Sequence, residues 1–234
     1  FSVGGCLFNT FTGNYLNVWI YNIIQLPLQA LANTTGGILV LALANQLFWF
    51  LGIHGGMVIE GVRGPLSAAG LAENISAVQA GGVATNILTR GFWTSFVVVG
   101  GGGITLSLLI AIFIFSKRED HKSIAKFSLI PGICGINEPI IFGTPIVLNP
   151  ILSIPFLIMP CISSGLGYLV QKMGIVSLGY IVDPSFTPFF AQGFLSALDI
   201  RNVIFMFVLI AISVAVYYPF FKVYEKNTLD HEGE

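Results

Sequence analysis

Charge is scarce in this sequence. Of 234 residues, ten are Lys or Arg and eleven are Asp or Glu, 9% in all. Soluble domains carry about 25%. Hydrophobic residues make up 55%, and mean hydropathy is +0.86. So little polar surface argues against a soluble globular enzyme, and so apolar a chain is not disordered. A net charge of -1 without a basic stripe excludes a nucleic-acid partner. Cysteine is also sparse. Cys6, Cys134 and Cys161 show neither metal-ligand spacing nor a disulfide framework, and read as small buried residues. The glycine-rich nucleotide motifs, the nucleophile elbow, HExxH and paired carboxylates are missing, so neither metal nor cofactor is expected. The chain opens on Phe1 without a basic region ahead of an apolar stretch. It therefore reads as a fragment with residues upstream and no signal peptide.

What remains is the composition of a polytopic helical membrane protein, and gaps in charge locate its spans. No charge precedes Glu60. Inside that gap, Gly36–Ile53 is apolar enough to span with tilt. Asn14–Leu31 mixes Asn, Gln and Tyr with large apolar residues and suits an amphipathic helix at an interface or polar cavity. Gly91–Ser116 is a second gap, of 26 residues, holding the run Gly100-Gly101-Gly102-Gly103. Asn202–Phe221 is a third, of 20 residues, and reads as a plain span.

Phe127–Val170 is different. Its 44 residues hold one charge, Glu138, and six prolines from Pro131 to Pro160. A plain helix cannot carry prolines at that spacing without repeated kinks. Irregular backbone at membrane depth survives only inside protein or along a cavity. Pro131–Pro145 is therefore expected to form a re-entrant hairpin, followed by a broken span to about Val170. The basic cluster Lys117–Lys126, with Lys222 and Lys226, is expected on the cytoplasmic side. One re-entrant loop and one crossing between the outer two spans satisfy that orientation.

Glu138, in Gly135-Ile136-Asn137-Glu138-Pro139, is the first candidate site residue. A carboxylate in a membrane segment costs about 3 kcal/mol on insertion scales, and such residues mark substrate or ion paths. A structural ion pair is the alternative. Asn137 adds two donors and an acceptor, and an amide beside a carboxylate at a broken helix grips sugar hydroxyls well. His54 follows an apolar run and precedes two glycines. It is either an interfacial residue or a cavity group that donates, accepts or shuttles a proton. Trp49 and Phe50 are belt aromatics or a flat surface for a sugar ring. Glu60, Arg63, Glu73 and Arg90 flank the Gly-rich stretch Gly55–Thr89, which reads as an irregular, solvated loop or a second hairpin. Asp183 with Pro184 reads as a turn.

Three segments together carry a family likeness: LFWFLGIHGG at Leu47–Gly56, GGGGITLSLLIA at Gly100–Ala111 and IPGICGINEPIIFGTPIVLNP at Ile130–Pro150. They resemble enzyme IIC, the membrane subunit of the bacterial sugar phosphotransferase system, in its lactose/cellobiose branch. The likeness runs from Phe1 to about Glu225. It implies an all-α fold of transmembrane helices and re-entrant hairpins. Residues 1–234 would be the C-terminal transport domain, and an N-terminal interface half would make most of the homodimer contact. By likeness, Glu138 and His54 act at the hydroxyl that receives phosphate, Asn137 assists, and Trp49 packs on the sugar. Relatives often carry Trp where this chain has Phe186, which can stack but cannot donate an indole hydrogen bond.

The expected function is import of a β-linked disaccharide (cellobiose, lactose or diacetylchitobiose) across the bacterial cell membrane. A phosphocysteine on a cytoplasmic IIB partner, supplied through IIA, phosphorylates the sugar, so the chain is a transport subunit rather than an enzyme by itself. The rival readings are an ion-coupled sugar symporter, an intramembrane acid/base enzyme built on His54 and Glu138, and a purely structural subunit.

Overall fold

Thr34 opens the first described helix by accepting a hydrogen bond from the Gly37 N–H at 3.1 Å, as an N-cap does. The computed structural model describes residues 34–232, and over these it holds helices and no strand. Asn14–Leu31 and Cys6 lie outside the described residues. The helices are α1 (Thr35–Phe50), α2 (Gly55–Gln79), α3 (Arg90–Phe92), α4 (Thr105–Phe115), α5 (Glu119–Ile133), α6 (Glu138–Gly143), α7 (Ser153–Lys172), α8 (Phe189–Leu195) and α9 (Ile200–Glu232). Among the described residues, three stretches are long and apolar enough to cross a membrane: Arg90–Phe115, Ser153–Lys172 and Ile200–Thr228.

Two expectations about the N-terminal part need correction. The apolar run Gly36–Ile53 yields a helix of 16 residues, about 24 Å long. That is short of a hydrocarbon core of about 30 Å. The stretch Gly55–Thr89 is not a loop or hairpin over most of its length. Residues 55–79 form α2, despite Pro65 and four internal glycines, because α2 packs on α1. Only 80–89 is irregular. Asn74, fully buried on α2, fastens that segment. Its Nδ2 donates to the carbonyls of Asn86 and Gly179, and its Oδ1 accepts from the N–H groups of Thr85 and Asn86.

The span Arg90–Phe115 is one apolar stretch but not one helix. After α3 comes a π-turn at Trp93–Val97, a glycine break, a 3₁₀ turn at Gly102–Ile104, and then α4. The break survives because partners from elsewhere satisfy it. The fully buried Tyr217 of α9 donates to the Gly103 carbonyl at 2.6 Å. Ser107 of α4 donates to the Ile210 carbonyl of α9.

Where the prolines lead us to expect a re-entrant hairpin over Pro131–Pro145, the chain turns back between two helices. α5 ends at Ile133, residues 134–137 turn, and α6 begins at Glu138 with Pro139 in its first turn, where a missing N–H costs nothing. The following span is less broken than its prolines suggested. Pro155 sits in the first turn of α7, and Pro160 is accommodated inside a continuous helix of 20 residues. α7 packs against α1 and the glycine break, and α9 packs against α4. Phe92, Phe96, Phe156, Met206 and Tyr217 fill the shared core.

The two basic ends lie together. Glu225 of α9 accepts hydrogen bonds from the Ser116 hydroxyl and the Lys117 N–H, and lies 3.7 Å from His121 Nδ1. Ile204, Phe207 and Val208 stay exposed along α9, an apolar stripe that suits lipid.

Candidate functional site

Trp49 stands at the end of α1, and its ring is buried against His54, centroids 4.3 Å apart. That burial removes it from the role of an aromatic belt residue. A short turn then brings the chain to His54, which caps α2. Its Nδ1 accepts the Met57 N–H at 3.1 Å. An imidazole whose Nδ1 accepts carries its proton on Nε2 when neutral. That Nε2 lies 3.3 Å from Glu138 Oε1. The cap thus selects the tautomer that can donate to the carboxylate.

Glu138 begins the second arm of the hairpin. Its Oε2 is buried without a hydrogen-bond partner. Asn137, also buried, donates weakly from Nδ2 to the Gly102 carbonyl at 3.4 Å. Gly102 explains the glycine run beside the hairpin. A Cβ there would sit 2.9 Å from Asn137 Nδ2 and 3.3 Å from Trp49 Nε1. Only a residue without a side chain lets the break pass between these two groups.

A cavity of about 370 Å3 is lined by Trp49, His54, Asn137, Glu138 and Phe186. The five residues singled out from the sequence therefore meet in one place, although they come from three separate parts of the chain. Asn45, Met57 and Trp93 line the same cavity and had not been picked out. Asn45 had a legible signal, since it lies one helical turn before Trp49 and shares its face. Its buried Oδ1 has no partner. Trp93 had none. It opens the π-turn, a distortion often found at functional sites, and carries the Arg63 guanidinium 5.2 Å from its ring centre.

The charges read as a solvated loop are not all solvated. Arg63 lies on α2, mostly buried, paired with Glu60 and seated over Trp93. Arg90 reaches Asp183 at 3.6 Å and donates to the Ser185 hydroxyl at 2.6 Å. Asp183 is more than a turn residue, for its side chain is fully buried. Burial pushes its carboxyl up, and Arg90 opposes that rise. This pair anchors the loop carrying Phe186, whose φ of 56° is left-handed and costly for an aromatic residue. Phe186 is nonetheless exposed, so the loop holds the ring open at the cavity. Among the described residues, no group of three or more His, Cys, Asp or Glu is placed to hold a metal ion.

Residues 2–160 match the family described as "Phosphotransferase system, EIIC". The chain is 34% identical to the lichenan permease IIC component of Bacillus subtilis (strain 168), over 92% of this chain and 49% of that protein. It is 32% identical to the cellobiose-specific EIIC component of Lactococcus lactis subsp. lactis (strain IL1403), over 86% of this chain and 45% of the relative. It is 34% identical to the lactose-specific EIICB component of Staphylococcus aureus (strain N315), over 88% and 36%. The chain thus spans about half the length of the curated IIC relatives it matches. The crystal structure of the transporter ChbC, the IIC component from the N,N'-diacetylchitobiose-specific phosphotransferase system, superposes with a TM-score of 0.89 at 30% identity. That likeness covers 99% of this chain and 54% of ChbC.

Proposed function

The chain belongs to the EIIC family of the phosphotransferase system, and from that premise we propose that it is the transport half of a permease importing β-linked disaccharides. The observation that carries the proposal is the Glu138 carboxylate. One oxygen faces His54 Nε2 at 3.3 Å, and the other is buried without a partner at a cavity flanked by Trp49 and Phe186. An acceptor of that kind suits a sugar hydroxyl, and two aromatic rings suit the apolar faces of pyranoses. The relatives' names point to lichenan, cellobiose, lactose and diacetylchitobiose, all β-linked.

In this mechanism the sugar enters from outside and its hydroxyl donates to Glu138 Oε2. His54 holds the carboxylate in place through its Nε2–H, and Asn137 and Asn45 supply further polar contacts. The loaded transport half moves against an interface half that also makes the homodimer contact, exposing the sugar to the cytoplasm. A phosphocysteine on IIB, itself charged through IIA, is then attacked by the hydroxyl oxygen. The new O–P bond forms as the P–S bond breaks, and the hydroxyl proton passes to Glu138. The site contributes position and a water-poor cavity, while the donor sits on the partner. The EIICB name of the lactose-specific relatives supports a IIB partner. The setting is the bacterial cell membrane, crossed several times.

The test is uptake of labelled cellobiose into vesicles holding the chain in its full-length setting, with and without a phosphoenolpyruvate-driven IIB inside. Phosphorylated sugar appearing only with IIB is the expected result. Free sugar accumulating on a proton or sodium gradient would instead mark a symporter.

A further inference from the structure

A cavity of about 370 Å3 lies apart from the sugar site and shares none of its lining residues. Its walls come from the irregular segment after α2, with Thr85 and Asn86, and from the last turns of α7, with Tyr168, Gln171 and Lys172. Asn74 pins the first wall, since its Oδ1 accepts from the Thr85 and Asn86 N–H groups. Asn74 lies twenty residues beyond His54 on α2, about 30 Å along the helix axis. The mechanism of sugar transfer makes no use of this cavity.

The second wall is equally fixed and holds an unmet acceptor. Gln171 Nε2 donates to the Ser177 carbonyl at 3.0 Å. Gln171 is only 3% exposed, and its Oε1 is buried without a hydrogen-bond partner. A buried acceptor left unpaired is costly, so this one calls for a donor from whatever fills the cavity. Lys172 is exposed at the mouth, its Nζ 5.7 Å from the centre of the Tyr168 ring. Among the described residues, no carboxylate lines the cavity. Glu73, beside it, accepts from Asn86 Nδ2 at 2.7 Å. A ligand here meets a cation outside and an acceptor within, which suits a phosphate ester carrying a free hydroxyl.

The position says where such an ester comes from. Lys172 ends the apolar span Ser153–Lys172, at the depth where a bilayer places its headgroups. Ile154, Ile158, Ile162, Leu169 and Met173 are exposed along α7. At about 100° per residue they fall within about 100° of arc, and Lys172 lies on that same stripe. An acyl chain laid along the stripe would bring its phosphate to the lysine. We propose that this cavity binds the headgroup of an anionic phospholipid bearing a hydroxyl. The phosphate sits at Lys172, the headgroup hydroxyl donates to Gln171 Oε1, and one acyl chain follows α7.

The experiment is a lipid titration of the full-length protein in detergent, with bound lipids counted by native mass spectrometry. The probes are phosphatidylglycerol, phosphatidylmethanol (the same charge without the hydroxyl), phosphatidylcholine and soluble glycerol 3-phosphate. Thr85→Trp fills the mouth while keeping the backbone N–H that Asn74 holds, and Lys172→Gln removes the charge from an exposed side chain. Without added lipid both variants should melt like the parent. The parent should bind one phosphatidylglycerol that Lys172→Gln weakens by about fivefold and Thr85→Trp abolishes. Phosphatidylmethanol should bind that site more weakly, phosphatidylcholine should not distinguish the three proteins, and glycerol 3-phosphate should not displace the lipid. Identical phosphatidylglycerol titrations for parent and Lys172→Gln would overturn the site, whether or not Thr85→Trp folds. Equal binding of phosphatidylmethanol would overturn the role of Gln171. Displacement by glycerol 3-phosphate at concentrations matching the lipid would give the cavity to a soluble ester and overturn the lipid.

Discussion

His54 Nε2 lies 3.3 Å from Glu138 Oε1 because His54 Nδ1 is already occupied by the Met57 N–H. One histidine thus ends a loop, starts a helix and presents a donor to the carboxylate. These roles separate by mutation. His54→Asn keeps a good N-cap, since Asn is among the preferred residues there, but removes the imidazole. His54→Ala loses both, at about 1 kcal/mol for the cap. The expectation is that His54→Asn inserts and melts like the parent, yet loses sugar phosphorylation about as severely as His54→Ala. Vesicle uptake alongside thermal unfolding in detergent checks this. An active His54→Asn would confine the residue to capping.

Glu138→Gln keeps the shape of the side chain and removes its charge. Hydrogen bonds to charged groups contribute about 1.5–3 kcal/mol, so sugar affinity should fall by roughly 10- to 100-fold. The amount of inserted protein should not change. Equilibrium binding of labelled cellobiose measures the first, and membrane-fraction yield the second.

Much of the site was legible because its residues break rules in the sequence. Glu138 is a lone charge among 44 residues, and Asn137 and Pro139 flag a broken helix around it. Asp183 and Arg90 were misread because they lie 93 positions apart, and neither looks unusual beside its own neighbours. Only the fold shows that a fully buried carboxylate needs that distant guanidinium. The helix α2 was missed for a related reason. Its glycines, Pro65 and five charges or amides give a polar local pattern, while its stability comes from packing on α1 and from the four bonds of Asn74. Where tertiary contacts override local preference, composition points the wrong way.

Phe186 should show opposite effects on stability and binding. Its backbone is left-handed at φ 56°, a conformation that glycine adopts freely. Its exposed ring contributes little burial. Phe186→Gly is therefore expected to be neutral or to stabilise by up to about 1 kcal/mol. Disaccharide affinity should nevertheless fall, because the stacking surface is gone. Phe186→Trp should preserve or strengthen binding. Matched melting and binding measurements on the pair test both halves of the argument.

Asp199 carries a pH dependence that can be assigned to one place. It sits just before α9, partly buried, and burial would by itself raise its pKa. Hydrogen bonds from the Arg201 side chain and the Ser177 hydroxyl outweigh that effect, as does one from the Arg201 N–H, and hold it at about 2. A carboxyl depressed in the folded state stabilises the fold above its ordinary value of 3.8 and loses that contribution as pH falls toward about 2. Hydrogen exchange at the first turn of α9 should therefore accelerate between pH 4 and about 2, beyond the intrinsic change. Asp199→Asn should exchange faster at pH 6 and lose most of that extra pH dependence.

Gly102 offers a test of the whole arrangement, because it touches two site residues without itself being able to bind sugar through a side chain. A methyl group there would press on Asn137 Nδ2 at 2.9 Å and on Trp49 Nε1 at 3.3 Å. Its backbone needs no special conformation, so Gly102→Ala introduces crowding rather than a forbidden φ. Asn137 stands at the hairpin turn directly before Glu138, and Trp49 is packed on His54. Displacing either should disturb the His54–Glu138 pair from the opposite side. Overpacking costs about 1–3 kcal/mol, and a misplacement near 1 Å can cost a reaction about 100-fold. Gly102→Ala should therefore lower phosphorylation far more than its loss of thermal stability implies. A variant that melts earlier but turns over normally would show that the glycine break serves packing alone.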